Sequence, residues 1–139
     1  MKDPIAWRLL RWLYGAYFIF EGIWSGLQIV GVMPEANWSM STASAAFMTA
    51  MDNTGYFFPL LALTFLVSGL ALMFYRTAPL GVALLVPVMV NIVLVDTLLD
   101  TLWFWATAHA VPLIALGWHF RAAFRPLWSY GRTPDEPTS

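Results

Sequence analysis

The sequence predicts an all-α fold, a four-transmembrane-helix bundle with a short amphipathic surface helix between the first and second spans. Three observations carry that prediction. Hydrophobic residues make up 60% of the 139 positions and charged ones 11%, more apolar surface than one soluble core of this size can hide. The charges fall mostly in short clusters between long uncharged stretches, the pattern a bilayer imposes. Every Lys and Arg falls on one side of a four-span arrangement, as the positive-inside rule requires of cytoplasmic segments.

Crossing ~30 Å of hydrocarbon takes about 20 mostly apolar residues in a helix, because lipid offers the backbone no hydrogen-bond partner. Four stretches meet that length: residues 12–33, 56–75, 79–99 and 103–120. The first follows a basic N-terminal segment but lacks a small-residue cleavage site, so it reads as a retained span rather than a signal peptide. Arg76-Thr77-Ala78-Pro79 is a tight turn whose proline suits the first turn of the next helix. Asp100-Thr101 joins the third span to the fourth in the same way. Between Met33 and Tyr56, Ala43, Ala46, Phe47, Ala50 and Met51 recur at helical spacing, with Ser39, Ser41 or Thr42 as cap. That stripe predicts a short surface helix folded as a lid over the outer rim, bringing Asp52 and Trp38 toward Gln28, Asp96 and Asp100.

Lys2, Arg8, Arg11, Arg76, Arg121, Arg125 and Arg132 share the cytoplasmic side, which places both termini there; Glu35, Asp52 and Asp100 lie opposite. Trp12, Trp118 and Trp128 at one interface, and Trp38, Trp103 and Trp105 at the other, form aromatic belts. Residues 1–132 form the single domain, and 133–139, with two prolines and two acids, read as a disordered tail. A net charge of −1 excludes the basic face that nucleic-acid binding needs. The absence of cysteine removes disulfides, thiolate metal sites and thiol chemistry.

Ionisable groups at membrane depth mark the candidate site, since each costs at least ~2.5 kcal/mol to insert. Counting ~1.5 Å of rise per residue puts Glu21, Asn91 and His109 near the midplane on three different helices, all expected to point inward. Gln28, Asp96 and Asp100 continue outward. Two roles fit this set: a proton path or small polar cavity, and hydrogen bonds that fix helix packing, such as a protonated Glu21 donating to Asn91. His109 stands ~15 Å from His119 along one helix, so bis-histidine haem is excluded, and single axial ligation of haem or chlorophyll by His109 is disfavoured. No metal-ligand, nucleophile-triad or phosphate-loop spacing occurs, so no catalytic residue and no metal site is legible. Gly22 and Gly26 form a small-xxx-small pair that, with Gly69, invites close helix packing. Pro87 and Pro112 interrupt the third and fourth spans and open room there.

Tyr56-Phe-Phe-Pro59, Val67-Ser-Gly-Leu-Ala-Leu72, Tyr75-Arg76, Ala78-Pro79-Leu80, Leu85-Val-Pro-Val-Met-Val-Asn-Ile-Val-Leu94 and Arg121-Ala-Ala-Phe-Arg-Pro-Leu127 together resemble the DoxX family, over about residues 10 to 127. The resemblance implies a small four-helix protein of a bacterial inner (cytoplasmic) membrane, associated with redox enzymes such as an archaeal thiosulfate:quinone oxidoreductase. The chain departs from its nearest branch in three places. Asp96 stands where a histidine is usual, and Ala62 and Phe65 stand where a lysine and a glutamate are common. The resulting expectation is a non-catalytic accessory subunit of a larger membrane redox or energy-transducing complex, packed against its helices and against lipid or quinone. The alternative is a subunit of a quinone-linked oxidoreductase that handles protons through Glu21, Asn91, Asp96 and His109.

Overall fold

The structure, a computed structural model, describes residues 4–34 and 41–129. Lys2, Glu35, Trp38, Ser39, Arg132 and the tail 133–139 lie outside the described residues. All regular structure among the described residues is helical: α1 (Ile5–Ile29), α2 (Thr42–Asp52), α3 (Phe57–Met73), α4 (Ala78–Leu94), α5 (Trp103–His119) and two single turns, α6 (Arg121–Phe124) and α7 (Pro126–Ser129). A π-turn, Val95–Leu99, extends α4. The continuous run Ala78–Leu99, 22 residues containing an 18-residue window with a mean hydropathy of 2.4, is long and apolar enough to cross a membrane, and α2 and α3 meet that test only as a pair bent by 91°.

The first helix begins and ends earlier than the sequence reading placed it. Pro4, which has no N–H to lose, sits at its N-cap, so the helix takes in Trp7 to Arg11; Gly31, at φ +74°, then turns the chain out before Met33. α2 is the expected surface helix, and Ser41 is its cap. The Ser41 hydroxyl accepts from the Ser44 N–H at 3.0 Å, and the Ser44 hydroxyl accepts from the Ser41 N–H. The buried stripe, however, is shifted. Ser44 is buried and Phe47 and Met51 are half-buried, whereas Ala43, Ala46 and Ala50 are exposed. A serine can face inward here because the capping box already satisfies its hydroxyl.

α1 runs antiparallel to α3 at a separation only glycine permits. A Cβ on Gly22 would stand 2.9 Å from the Ala62 carbonyl oxygen and 2.8 Å from the Leu66 nitrogen, and one on Gly69 would stand 2.7 Å from the Gly15 carbonyl oxygen. Gly81 repeats the device between α4 and α3, 2.8 Å from the Ser68 oxygen. Gly26, paired with Gly22 by sequence spacing, meets nothing within 4 Å. Phe18 and Phe65, with ring centroids 5.2 Å apart, fill the crossing between the glycines.

Arg11, only 3% exposed, locks the lower end of this pair. Its guanidinium donates from Nη1 to the carbonyls of Leu72 at 2.6 Å and Met73 at 2.7 Å, and Trp12 Nε1 donates to Met73 as well, at 3.2 Å. These carbonyls at the C-terminus of α3 have no partner inside their helix, and a cation there also complements the helix dipole. Trp7 stacks on His119, so the start of α1 also meets the end of α5. The N-terminus of α1, the α3–α4 turn and the end of α5 therefore share one end of the molecule. Away from these contacts the helices turn apolar side chains outward, with Leu13 71%, Leu98 70%, Phe104 81% and Ile114 69% exposed. α4 and α5 run through Pro87 and Pro112 without a break.

Gly69→Leu is expected to destabilise the fold by about 3 kcal/mol or more, since its neighbours are backbone atoms that cannot swing away. Gly26→Leu is expected to shift stability by less than about 0.5 kcal/mol. Denaturation of the detergent-solubilised protein followed by tryptophan fluorescence measures both, and equal losses would refute the crossing.

Candidate functional site

Helix α1 presents two faces. Arg11, Gly15, Phe18 and Gly22 face α3; Tyr14, Tyr17 and Glu21, at i, i+3 and i+7, lie about a quarter turn away and face α5. Across that seam stands His109, half-buried, one turn above Leu113 in the core.

His109 is held by three groups. The Tyr14 hydroxyl donates to its backbone carbonyl at 2.7 Å. Its Nδ1 lies 3.0 Å from the carbonyl oxygen of Trp105, which can only accept, so Nδ1 carries a proton. In the neutral ring Nε2 is then the acceptor, and the Tyr17 hydroxyl donates to it at 3.0 Å. Asp96 comes from the π-turn and sets Oδ2 3.9 Å from the same Nδ1. The Glu21 carboxylate lies within reach of the Tyr17 hydroxyl, one turn along α1, and within the field of His109. The order across the seam is thus Glu21, Tyr17, His109, Asp96, with Asp100 beyond.

The π-turn is local in origin. The N–H of Asp100 bonds the Val95 carbonyl at 3.1 Å, five residues back, and the N–H of Leu102 reaches the Asp96 carbonyl at 2.6 Å. Thr101 closes the turn at φ 57°, a left-handed conformation that costs a non-glycine residue about 1–2 kcal/mol. The turn ends α4 and carries the acid.

A cavity of about 260 Å³ opens on the other side of Asp96, between α3 and α4 and beneath α2. Phe47, Phe57, Phe58 and Pro87 give it apolar walls, and Thr64, Asn91 and Asp96 are its polar groups. The Thr64 hydroxyl is spent on the Leu60 carbonyl at 2.8 Å. The Asn91 carboxamide bonds no described residue.

The residues expected to share one polar core therefore divide. Glu21, Asp96 and His109 come together; Asn91 is exposed into the cavity and does not meet Glu21, whose neighbour is Tyr17. The reason is rotational. Asn91 lies five residues before Asp96 on α4, and that spacing turns it away from α5 toward α3. Gln28 also leaves the line, because its Nε2 donates to the Pro34 carbonyl at 2.9 Å and closes the loop after α1. Asp52 is exposed, and α2 covers α3 and the π-turn rather than the whole rim. With both ring nitrogens of His109 engaged, axial ligation of haem or chlorophyll would require Tyr17 to let go. Among the described residues no group of three His, Asp or Glu side chains could hold a metal ion. Sequence reasoning missed Tyr14 and Tyr17; the available signal was a pair of tyrosines at i and i+3 on the helical face of Glu21.

No family model, no curated protein and no solved structure matches the chain.

The neutral His109 ring is expected to be the Nδ1–H tautomer, read from the ¹⁵N shifts of the histidine-labelled protein. Tyr17→Phe should change the Nε2 shift and Asn91→Leu should leave it in place; an Nε2–H ring in the unaltered protein would refute this geometry.

Proposed function

We propose that the chain is a four-span membrane protein, both termini cytoplasmic, that resembles the DoxX family and relays protons along Glu21, Tyr17, His109 and Asp96 for a quinone-linked redox complex. The outward apolar side chains on every long helix support the membrane placement: exposed to water they would be a large aggregation-prone surface, and in lipid they need no partner. The basic end, with Arg8, Arg11, Arg76, Arg121 and Arg125, is the cytoplasmic one on the positive-inside rule. The resemblance to DoxX rests on the residues that carry it.

The observation behind the proton reading is that Asp96 belongs to two places at once, lying 3.9 Å from His109 Nδ1 and lining the cavity that holds Asn91. As a proton passes from Glu21 to the Tyr17 oxygen, the tyrosine gives its own to Nε2. The imidazolium then holds protons on both nitrogens and releases the one on Nδ1 to the Asp96 carboxylate, directly after a small approach or through one water. Tyr17 is left as it began, and the proton has moved to the cavity wall. The cavity fits a flat ring bearing a carbonyl: a cavity of roughly 150 Å³ with apolar walls already takes benzene, and Asn91 offers an unspent amide N–H. A quinone, when bound, accepts electrons and protons together. Asn91 would hold it, the phenylalanines would exclude water, and Asp96 would hold the proton beside it.

The accessory-subunit reading has its own support in the exposed aromatic flank of α5, where Phe104, Trp105 and Trp118 offer a surface to neighbouring helices. The two readings separate by experiment. In native membranes Asp96→Asn and Glu21→Gln are expected to lower quinone-linked electron transfer at least tenfold while the complex still assembles. Full activity in both variants, with assembly intact, would leave the packing role standing and remove the relay.

Topology is testable without background, since the chain has no cysteine. Thr77→Cys in the α3–α4 turn should react with an impermeant maleimide only from the cytoplasmic side, and Asn53→Cys after α2 only from the other. Reaction of both from one side would overturn the four-span placement.

A further inference from the structure

A second feature lies in the same α1–α5 seam, at the end opposite Asp96. Beyond the Tyr14 contact a shallow groove of about 410 Å³ runs along α5, lined by its Val111, Ile114, Ala115 and Trp118, with Trp7 of α1 at its edge. It follows α5 for about 10 Å toward the basic end, judged from the seven-residue step from Val111 to Trp118. Its walls are apolar along the whole length, and its mouth is not.

At the mouth each wall ends in an indole with a basic group laid on it. The Trp7 ring stacks on His119, with centroids 4.4 Å apart and planes at 13°. The Arg121 guanidinium carbon lies 4.9 Å from the centre of the Trp118 ring, and its Nη1 donates to the Trp118 carbonyl at 3.0 Å. That single bond leaves most of the guanidinium fork of an exposed side chain facing outward. The feature is therefore a shallow apolar groove, of a length suited to part of an acyl chain, that ends at the Arg121 guanidinium between two indoles.

We infer that this groove holds one anionic phospholipid of the cytoplasmic leaflet, its chain along α5 beside Trp7 and its phosphate against Arg121. Charge decides the headgroup. A zwitterionic lipid would bring its own cation beside the Arg121 guanidinium, whereas an anionic one brings net negative charge to that donor. The apolar walls decide the source, since a free phosphate has no use for the channel. The inference rests on the membrane placement proposed above but not on the proton relay.

The experiment has two stages. Alkaline carbonate extraction comes first; release of the protein into the soluble fraction would overturn the membrane placement and this inference with it. For protein retained in the membrane, native mass spectrometry after purification in a mild neutral detergent counts lipids bound on adding phosphatidylglycerol or phosphatidylcholine at matched concentration. One phosphatidylglycerol is expected to survive where phosphatidylcholine does not. Arg121→Gln should weaken its retention about fivefold. Arg76→Gln, an equal loss of charge at the same end but in the α3–α4 turn, should leave it unchanged. Glycerol 3-phosphate should not displace the lipid. Equal binding of both lipids, equal loss in both arginine variants, or displacement by glycerol 3-phosphate would each refute the site while leaving the membrane placement intact.

Discussion

The close crossing of α1 on α3 sets the positions of everything else. Where Gly15, Gly22 and Gly69 bring backbone against backbone, a slide of one residue along either helix would drive a side chain into a carbonyl, so the register has no alternative. That register delivers Arg11 to the Leu72 and Met73 carbonyls, where one cation satisfies the end of another helix. It also fixes the rotation of α1 about its axis. With the small residues turned to α3, the residues a quarter turn away have to face α5, and these are Tyr14, Tyr17 and Glu21.

The contrast between the two sides of α1 follows from the same rotation. The α3 side is closely packed, with Phe18 against Phe65 and glycine backbone against backbone. The α5 side is looser, because tyrosines hold the helices apart and reach across to the His109 carbonyl and ring. Above those bonds the seam holds the acids; below them it opens as the groove between Trp7 and Trp118. A polar group between apolar helices is costly unless paired, so the Tyr–His contacts hold α5 in place.

Much of the architecture was legible from composition and hydropathy: the helices α3, α4 with its π-turn, and α5 end within two residues of the stretches read from the sequence. Those signals are long and redundant, so an error at one residue does not move them. The start of α1 was not legible, because Trp7, Arg8 and Arg11 read as an interfacial segment until the partner that buries Arg11 is known. Of the site, Glu21, Asp96 and His109 were recognisable as costly groups at depth, but depth carries no rotational information. Asn91 and Asp96 both line the cavity, but only Asp96 also reaches α5, and packing alone decides which residue does so. Tyr17 escaped notice because tyrosine is ordinary near membrane interfaces; its meaning lies in the histidine opposite, 92 positions along the chain.

The apolar character of α3 has a structural reason at the same crossing. Ala62 and Phe65 are both buried, one with its carbonyl against Gly22 and the other against Phe18. Ionisable side chains in those places would have to be paired within the α1–α3 interface, and the glycine contact leaves no room for the pair. An apolar α3 therefore goes with a tight α1–α3 seam, and polar chemistry is confined to the other side of α1. There the acid and the imidazole form a matched set. A histidine alone between the helices would face no acid, whereas the π-turn at the end of α4 brings Asp96 to within 3.9 Å of the His109 ring.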